Sequence, residues 1–151
     1  MKRAIKTLFA GLCAVLVLSL SGCSKNYEDL IVGKWNAVSA DMTTTVSGMG
    51  EEYDGTETDT QNFEEGDASF TFNEDGSFES YSVGDEEEGP STTKGTYTVK
   101  DDQLTLNVEG GKQLFTIKKL DKKELVLENH EHLDYGEGSV DMDITLKMKK
   151  A

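Results

Sequence analysis

The sequence predicts an all-β fold, an eight-stranded antiparallel up-and-down barrel following an N-terminal signal peptide. Three observations predict it. Beyond residue 68, Thr, Val, Phe, Tyr and Leu recur in short runs of period two, the pattern of strands with one buried face. Very short turns such as Asp75-Gly76, Asp101-Asp102 and Gly110-Gly111 separate the runs, and such turns force antiparallel neighbours. Eight such strands close on themselves, because closure removes the exposed edges. An Ig-like sandwich would need longer crossovers, which only residues 43–66 and 84–93 supply.

The chain opens with Lys2, Arg3 and Lys6, followed by LFAGLCAVLVLSL over residues 8–20 with no charge. A basic start before an apolar run of this length reads as a secretory signal. The run is shorter than the ~20 residues of a membrane-spanning helix. Leu20-Ser21-Gly22-Cys23 closes it and resembles the lipobox of bacterial lipoproteins. The resemblance implies cleavage between Gly22 and Cys23, a diacylglyceryl group on the Cys23 thiol, and a fatty acyl chain such as palmitate on its freed amine. Two or more chains hold a protein stably on a bilayer. The chain thus divides into a signal peptide (1–22), a lipidated tether (23–31) and a barrel domain (32–151). The first implied partner is the membrane. Ser24 resembles the pattern of lipoproteins bound for the outer membrane, on either of its faces.

Cys13 leaves with the signal, so no second cysteine remains for a disulfide and stability rests on the core. From Cys23 onward there are twelve lysines, no arginine and 29 acids, a net charge of −17. That balance excludes a nucleic-acid partner, which needs clustered Lys and Arg. Between Lys34 and Lys94 stand sixteen acids and no base; from Lys94 onward ten lysines face eleven acids. The first half is expected to be the more solvated.

Each element has its own signal. Asn26 before Tyr27, Leu30 and Ile31 suggests one helical turn in the tether. Val32 to Met42 reads as the first strand. Residues 43–66 read as a long acidic loop or a poorly formed hairpin, with Val46, Met49, Tyr53 and Phe63 their only apolar residues. Ala68 to Phe72 and Ser77 to Val83 form a hairpin about Asp75-Gly76. An acidic loop with the single proline, Pro90, leads to Gly95–Lys100, Gln103–Val108, Lys112–Leu120 and Glu124–Asn129. His130 to Gly138 reads as a loop. In Ser139 to Met148, Val140, Met142, Ile144, Leu146 and Met148 hold one face. A barrel of eight strands is just wide enough for packed side chains or one small ligand.

Gly33-Lys34-Trp35 resembles the G-x-W motif of lipocalins. With Phe70-Thr71-Phe72-Asn73-Glu74-Asp75-Gly76-Ser77-Phe78 downstream, the chain is similar to bacterial lipocalin-like domain lipoproteins of the Bacteroidetes type over roughly residues 30–149. The resemblance implies that Gly33 and Trp35 are structural and that Trp35 plugs the closed end of the barrel. The open end would take a small apolar or amphipathic molecule. In that family a late arginine packs over the tryptophan; here its place falls to Lys147 or Lys149. The inward residues proposed to line the pocket are Phe70, Phe72, Tyr97, Val99, Leu104, Leu106, Leu125, Leu127, Ile144 and Leu146.

Other chemistry finds little footing. His130-Glu131-His132, with Glu128 and Asp134, is the one histidine cluster whose imidazoles and carboxylates suit zinc, but with Gly136 and Gly138 following it reads as a solvated loop between two strands and not as a metal site. The runs Glu51–Asp67 and Asp85–Glu88 offer oxygen ligands but no D-x-[DN]-x-[DN]-G loop, and read as a solvated acidic face. No thiol nucleophile, G-x-S-x-G or arginine clamp accompanies them, so the reading is non-enzymatic, cofactor-free and monomeric. The expected function is that of a lipid-anchored envelope protein that binds a small hydrophobic or amphipathic ligand. The alternative is an interaction module, of inhibitor or adhesin type, with a filled barrel.

Overall fold

A computed structural model describes residues 26–84 and 89–151. The signal peptide, the Gly22–Cys23 cleavage and lipidation site and the run Asp85–Glu88 lie outside the described residues. A short helix α1 (Tyr27–Ile31) precedes nine strands: β1 (Gly33–Ser47), β2 (Gly55–Asn62), β3 (Ala68–Phe72), β4 (Ser77–Ser82), β5 (Ser91–Lys100), β6 (Gln103–Val108), β7 (Gly111–Leu120), β8 (Glu124–Asp134) and β9 (Ser139–Lys150). All pairs are antiparallel, and β1 pairs with β9 to close the ring β1-β3-β4-β5-β6-β7-β8-β9. This is the eight-stranded barrel that the sequence predicts.

The ninth strand is the departure. Of the loop and the hairpin expected for residues 43–66, the structure has the hairpin: they hold the far half of β1 and all of β2. β2 pairs with Ser39–Val46, and β3 then pairs with Gly33–Asn36, so together they run down one side of β1, interrupted at 63–67. All eight residues of β2 are exposed. With no apolar face, its period-two signal vanishes from the sequence. β8 likewise runs to Asp134 where a loop from His130 was expected, because His130–Asp134 pair with Ser139–Asp143.

Two β-bulges adjust the faces. In β1 the register slips between Ala37 and Ser39, so inward positions are odd before the slip (Trp35, Ala37) and even after it (Ala40, Met42). A second slip falls between Ile117 and Lys119 in β7. A one-residue insertion is what switches a strand's faces.

The core fills the end of the barrel near α1. Trp35, Phe72, Leu104, Leu106, Leu125, Leu127 and Met148 are all at most 2% exposed and lie in one cluster with Ile31, Phe78, Ile117 and Leu120. Phe72 stacks on Phe78 at 6.2 Å and meets Tyr97 edge-on at 5.0 Å. Tyr97 keeps its polar tip satisfied by donating to the Asn73 carbonyl at 2.8 Å. The turn between β3 and β4 takes its shape from Gly76 at φ +82°, as Asp-Gly predicts, and Asp75 accepts from both the amide and the hydroxyl of Ser77.

Candidate ligand-binding site

The closed end is built around Trp35. Its indole N–H donates to the Ile31 carbonyl at 2.7 Å, which ties the last turn of α1 beneath the barrel. Ile31 is fully buried, and Tyr27 and Leu30 pack on the same core, so the end of the tether is docked. The cation over the indole is Lys150, its Nζ 4.3 Å from the ring centroid and donating to the Val32 carbonyl. This corrects the expectation of Lys147 or Lys149. Register decides it: Lys150 pairs with Trp35 and shares the inward face of Met148 and Leu146, while Lys147 and Lys149 point outward. Lys147 instead meets Asp41 at 2.8 Å, and this hydrogen bond, with that of Thr60, lowers the Asp41 carboxyl below its usual range. Gly33, at φ +122°, makes room: a Cβ there would stand 2.7 Å from the Lys150 ammonium nitrogen. The G-x-W motif therefore has a physical account, since glycine supplies the positive φ and the close approach.

The far end is different. Four strands, in the order β2-β1-β9-β8, continue past the ring. Directly paired residues share a face, so their inward residues form rows. The first is Gln61, Ala40, Leu146 and Leu127; the second Asp59, Met42, Ile144 and Asn129. The third is Glu57, Thr44, Met142 and Glu131; the fourth Gly55, Val46, Val140 and Leu133. The core ends in the first row. Leu146 still packs on it, whereas Met42, Val46, Val140, Met142, Ile144 and Leu133 stand outside the cluster. Met42 is 43% exposed and Leu133 41%. Across the mouth, Ser80 of β4 and Thr93 of β5 face inward as a pair.

The ten residues proposed to line a pocket therefore divide by depth. Phe72, Leu104, Leu106, Leu125 and Leu127 are core; Phe70, Tyr97, Val99 and Leu146 pack against it; Ile144 stands above it. Sequence reasoning missed Met42 and Val46, which fell at a strand end and in an assumed loop, and Leu133 for the same reason. Tyr97 and Val99 also border a groove of about 710 Å³ beside α1, with Glu28, Asp29 and Glu74 on its rim. Burial and the nearby acids raise the Tyr97 hydroxyl above its usual value.

His130 and His132 sit on the outer face of β8. Their Nδ1 atoms lie 2.7 Å from Asp143 and 2.6 Å from Asp141, their partners on β9. Among the described residues no group of three or more His, Cys, Asp and Glu is placed to hold a metal ion.

A small closed antiparallel barrel plugged by a tryptophan at one end defines a fold of the lipocalin class. The chain belongs to the lipocalin-like domain family, whose model matches residues 31–127. The match ends at Leu127, and the rest of β8 with β9 completes the ring. Among curated proteins none matches the chain. Among solved structures it is similar to a lipocalin-like protein from Bacteroides uniformis, at 15% identity and a TM-score of 0.49, over 80% of this chain and 98% of that one. An uncharacterized protein from Bacteroides eggerthii gives 16% identity and 0.49 over the same shares. A bovine odorant binding protein triple mutant gives 17% identity and 0.44, over 80% of this chain and 74% of that one.

Proposed function

We propose that this protein binds a small amphipathic molecule in the open half of its barrel, as a lipid-anchored protein of the bacterial cell envelope, and that it catalyses no reaction. One observation carries the binding reading. The inward apolar face does not stop where the core stops: Met42, Val46, Val140, Met142 and Ile144 continue it into the mouth without joining the packed cluster. Apolar side chains left partly open in a concave site are what a small ligand buries, with a few polar groups to orient it. The polar inward residues of the rows, Thr44, Asn129 and Gln61, supply those groups.

The anchor reading rests on Leu20-Ser21-Gly22-Cys23 after its apolar run. Metabolic labelling with an alkyne fatty acid tests it: the native chain takes the label into the membrane fraction and Cys23→Ala does not. An unlabelled native chain would overturn the anchor. Titration with the neutral dye N-phenyl-1-naphthylamine tests the site. The expected result is a blue-shifted emission saturating with a Kd on the order of 10 μM, lost in Ile144→Lys. No enhancement, or one that survives Ile144→Lys, would overturn the mouth as the site.

A further inference from the structure

The rows of the mouth carry charge of one sign. Glu57 and Asp59 of β2 flank the apolar residues on one side and Glu131 of β8 flanks them on the other, each inward by register with Thr44, Met42 and Met142. Neither the Glu57 nor the Glu131 carboxylate has a hydrogen-bond or ion-pair partner among the described residues; the Asp59 carboxylate accepts the Thr60 amide at 2.9 Å. The lysines are placed elsewhere. Lys94 meets Glu79 at 3.0 Å and Lys118 meets Glu128 at 3.2 Å on the outer face, and Lys147 is held there by Asp41. Lys150 faces inward but at the opposite end, on Trp35. Among the described residues the inward wall above Leu146 thus bears three carboxylates and no ammonium.

Resting on the reading that the mouth is the binding site, we propose that its ligand is an amphipathic cation, an alkyl chain ending in an ammonium group. The chain lies along Leu146, Ile144, Met142 and Met42, and the ammonium stands between β2 and β8. Neighbouring strands are about 4.8 Å apart, so Glu57 and Glu131, three strands from one another, are about 14 Å apart. Glu57, Asp59 and Glu131 are solvent-exposed, and a cation between Glu57 and Glu131 is about 7 Å from each, inside the ~8 Å screening length at physiological salt, so their attraction adds and weakens as salt rises. A fatty acid of the same length would bring its carboxylate to the same place and be repelled. The acids set the sign of the polar end; the apolar rows make the site.

The test compares dodecylammonium, dodecanol and dodecanoate, each below its micelle concentration, by displacement of N-phenyl-1-naphthylamine. The amine is expected to bind about tenfold or more tighter than the carboxylate, with the alcohol between and the spread shrinking at high salt. Removing the three inward charges together (Glu57→Gln, Asp59→Asn, Glu131→Gln) is expected to bring the three ligands within about twofold. Removing three acids from the closed end (Glu28→Gln, Glu74→Gln, Asp102→Asn) is expected to leave the order intact. Equal affinities in the native chain, or a loss of order in the closed-end variant, would overturn the charge assignment and leave the mouth as a neutral apolar site. Failure of all three ligands to displace the dye would instead overturn the binding reading beneath it.

Discussion

Lys150 takes on the task that a late arginine performs in the resembling family, with different means. A guanidinium stacks flat on an indole; an ammonium offers a point charge above the ring and hydrogen bonds from its tip. Here that tip also satisfies the Val32 carbonyl, so one side chain serves both Trp35 and the exit from α1. Partial burial lowers the Lys150 amine from its ordinary value, the cost of holding the charge there. Lys150→Ala is therefore expected to cost about 1–2 kcal/mol by urea denaturation, while Lys147→Ala, which loses only an exposed pair with Asp41, changes the midpoint little. His130 gives a pH prediction at the same scale. The Asp143 hydrogen bond and charge raise its imidazole above the ordinary ~6.5. A raised folded pKa means the pair's stabilisation is fully present below the unfolded value and fades as pH rises through the folded one. A proton NMR titration of Asp143→Asn should return the His130 midpoint toward the ordinary value; an unmoved midpoint would refute the pairing.

At the scale of elements, the slip beside Val38 decides which face of β1 looks inward. Without it, Asp41, Thr43 and Thr45 would turn into the mouth, and Met42 and Val46 out to water. Val38 lies inside the slip. Deleting it is expected to cost more than about 3 kcal/mol, because every later residue of β1 must either change face or break its ladder with β9. A deletion variant with native denaturation and native dye binding would show that the bulge is incidental. β2 teaches the complementary lesson. Thr56, Thr58 and Thr60 alternate with Glu57, Asp59 and Gln61, and the threonine hydroxyls bond across to Thr45, Thr43 and Asp41. The alternation is present in the sequence, but both faces are polar, so hydrophobic patterning has nothing to detect.

For the whole molecule, floor and mouth separate stability from binding. Leu125→Ala opens a hole in the buried floor and should cost about 2–5 kcal/mol while leaving dye affinity nearly unchanged. Ile144→Lys, above the core, should do the reverse: stability within about 1 kcal/mol of native and no dye binding. Joint loss in both variants, by thermal melts and dye titration, would refute the division. The placement of α1 adds an orientation. Asn26 lies three residues from Cys23, a reach of about 10 Å, whereas β9 with its 12 residues is about 40 Å long. An anchored chain would therefore stand on its closed end with the mouth directed away from the bilayer. Fluorophores placed through Glu74→Cys and Tyr53→Cys test this against a quencher in the membrane: the first should be quenched and the second not.

Much of this was legible without coordinates. The alternating runs from Ala68 onward, the turns Asp75-Gly76 and Asp101-Asp102, and the five-step face of β9 determined the strands, their antiparallel order and most of the core, because burial of one face writes itself locally as period two. The tryptophan plug was legible from Gly33 and Trp35 by resemblance. What only the tertiary structure decided is which residues meet: Lys150 over Trp35, the far half of β1 between β2 and β9, and the acids Glu57, Asp59 and Glu131 at the ends of two neighbouring inward rows. Those meetings depend on how strands distant in sequence slide against one another as the ring closes. A single extra residue such as Val38 resets that register, and no local pattern records it.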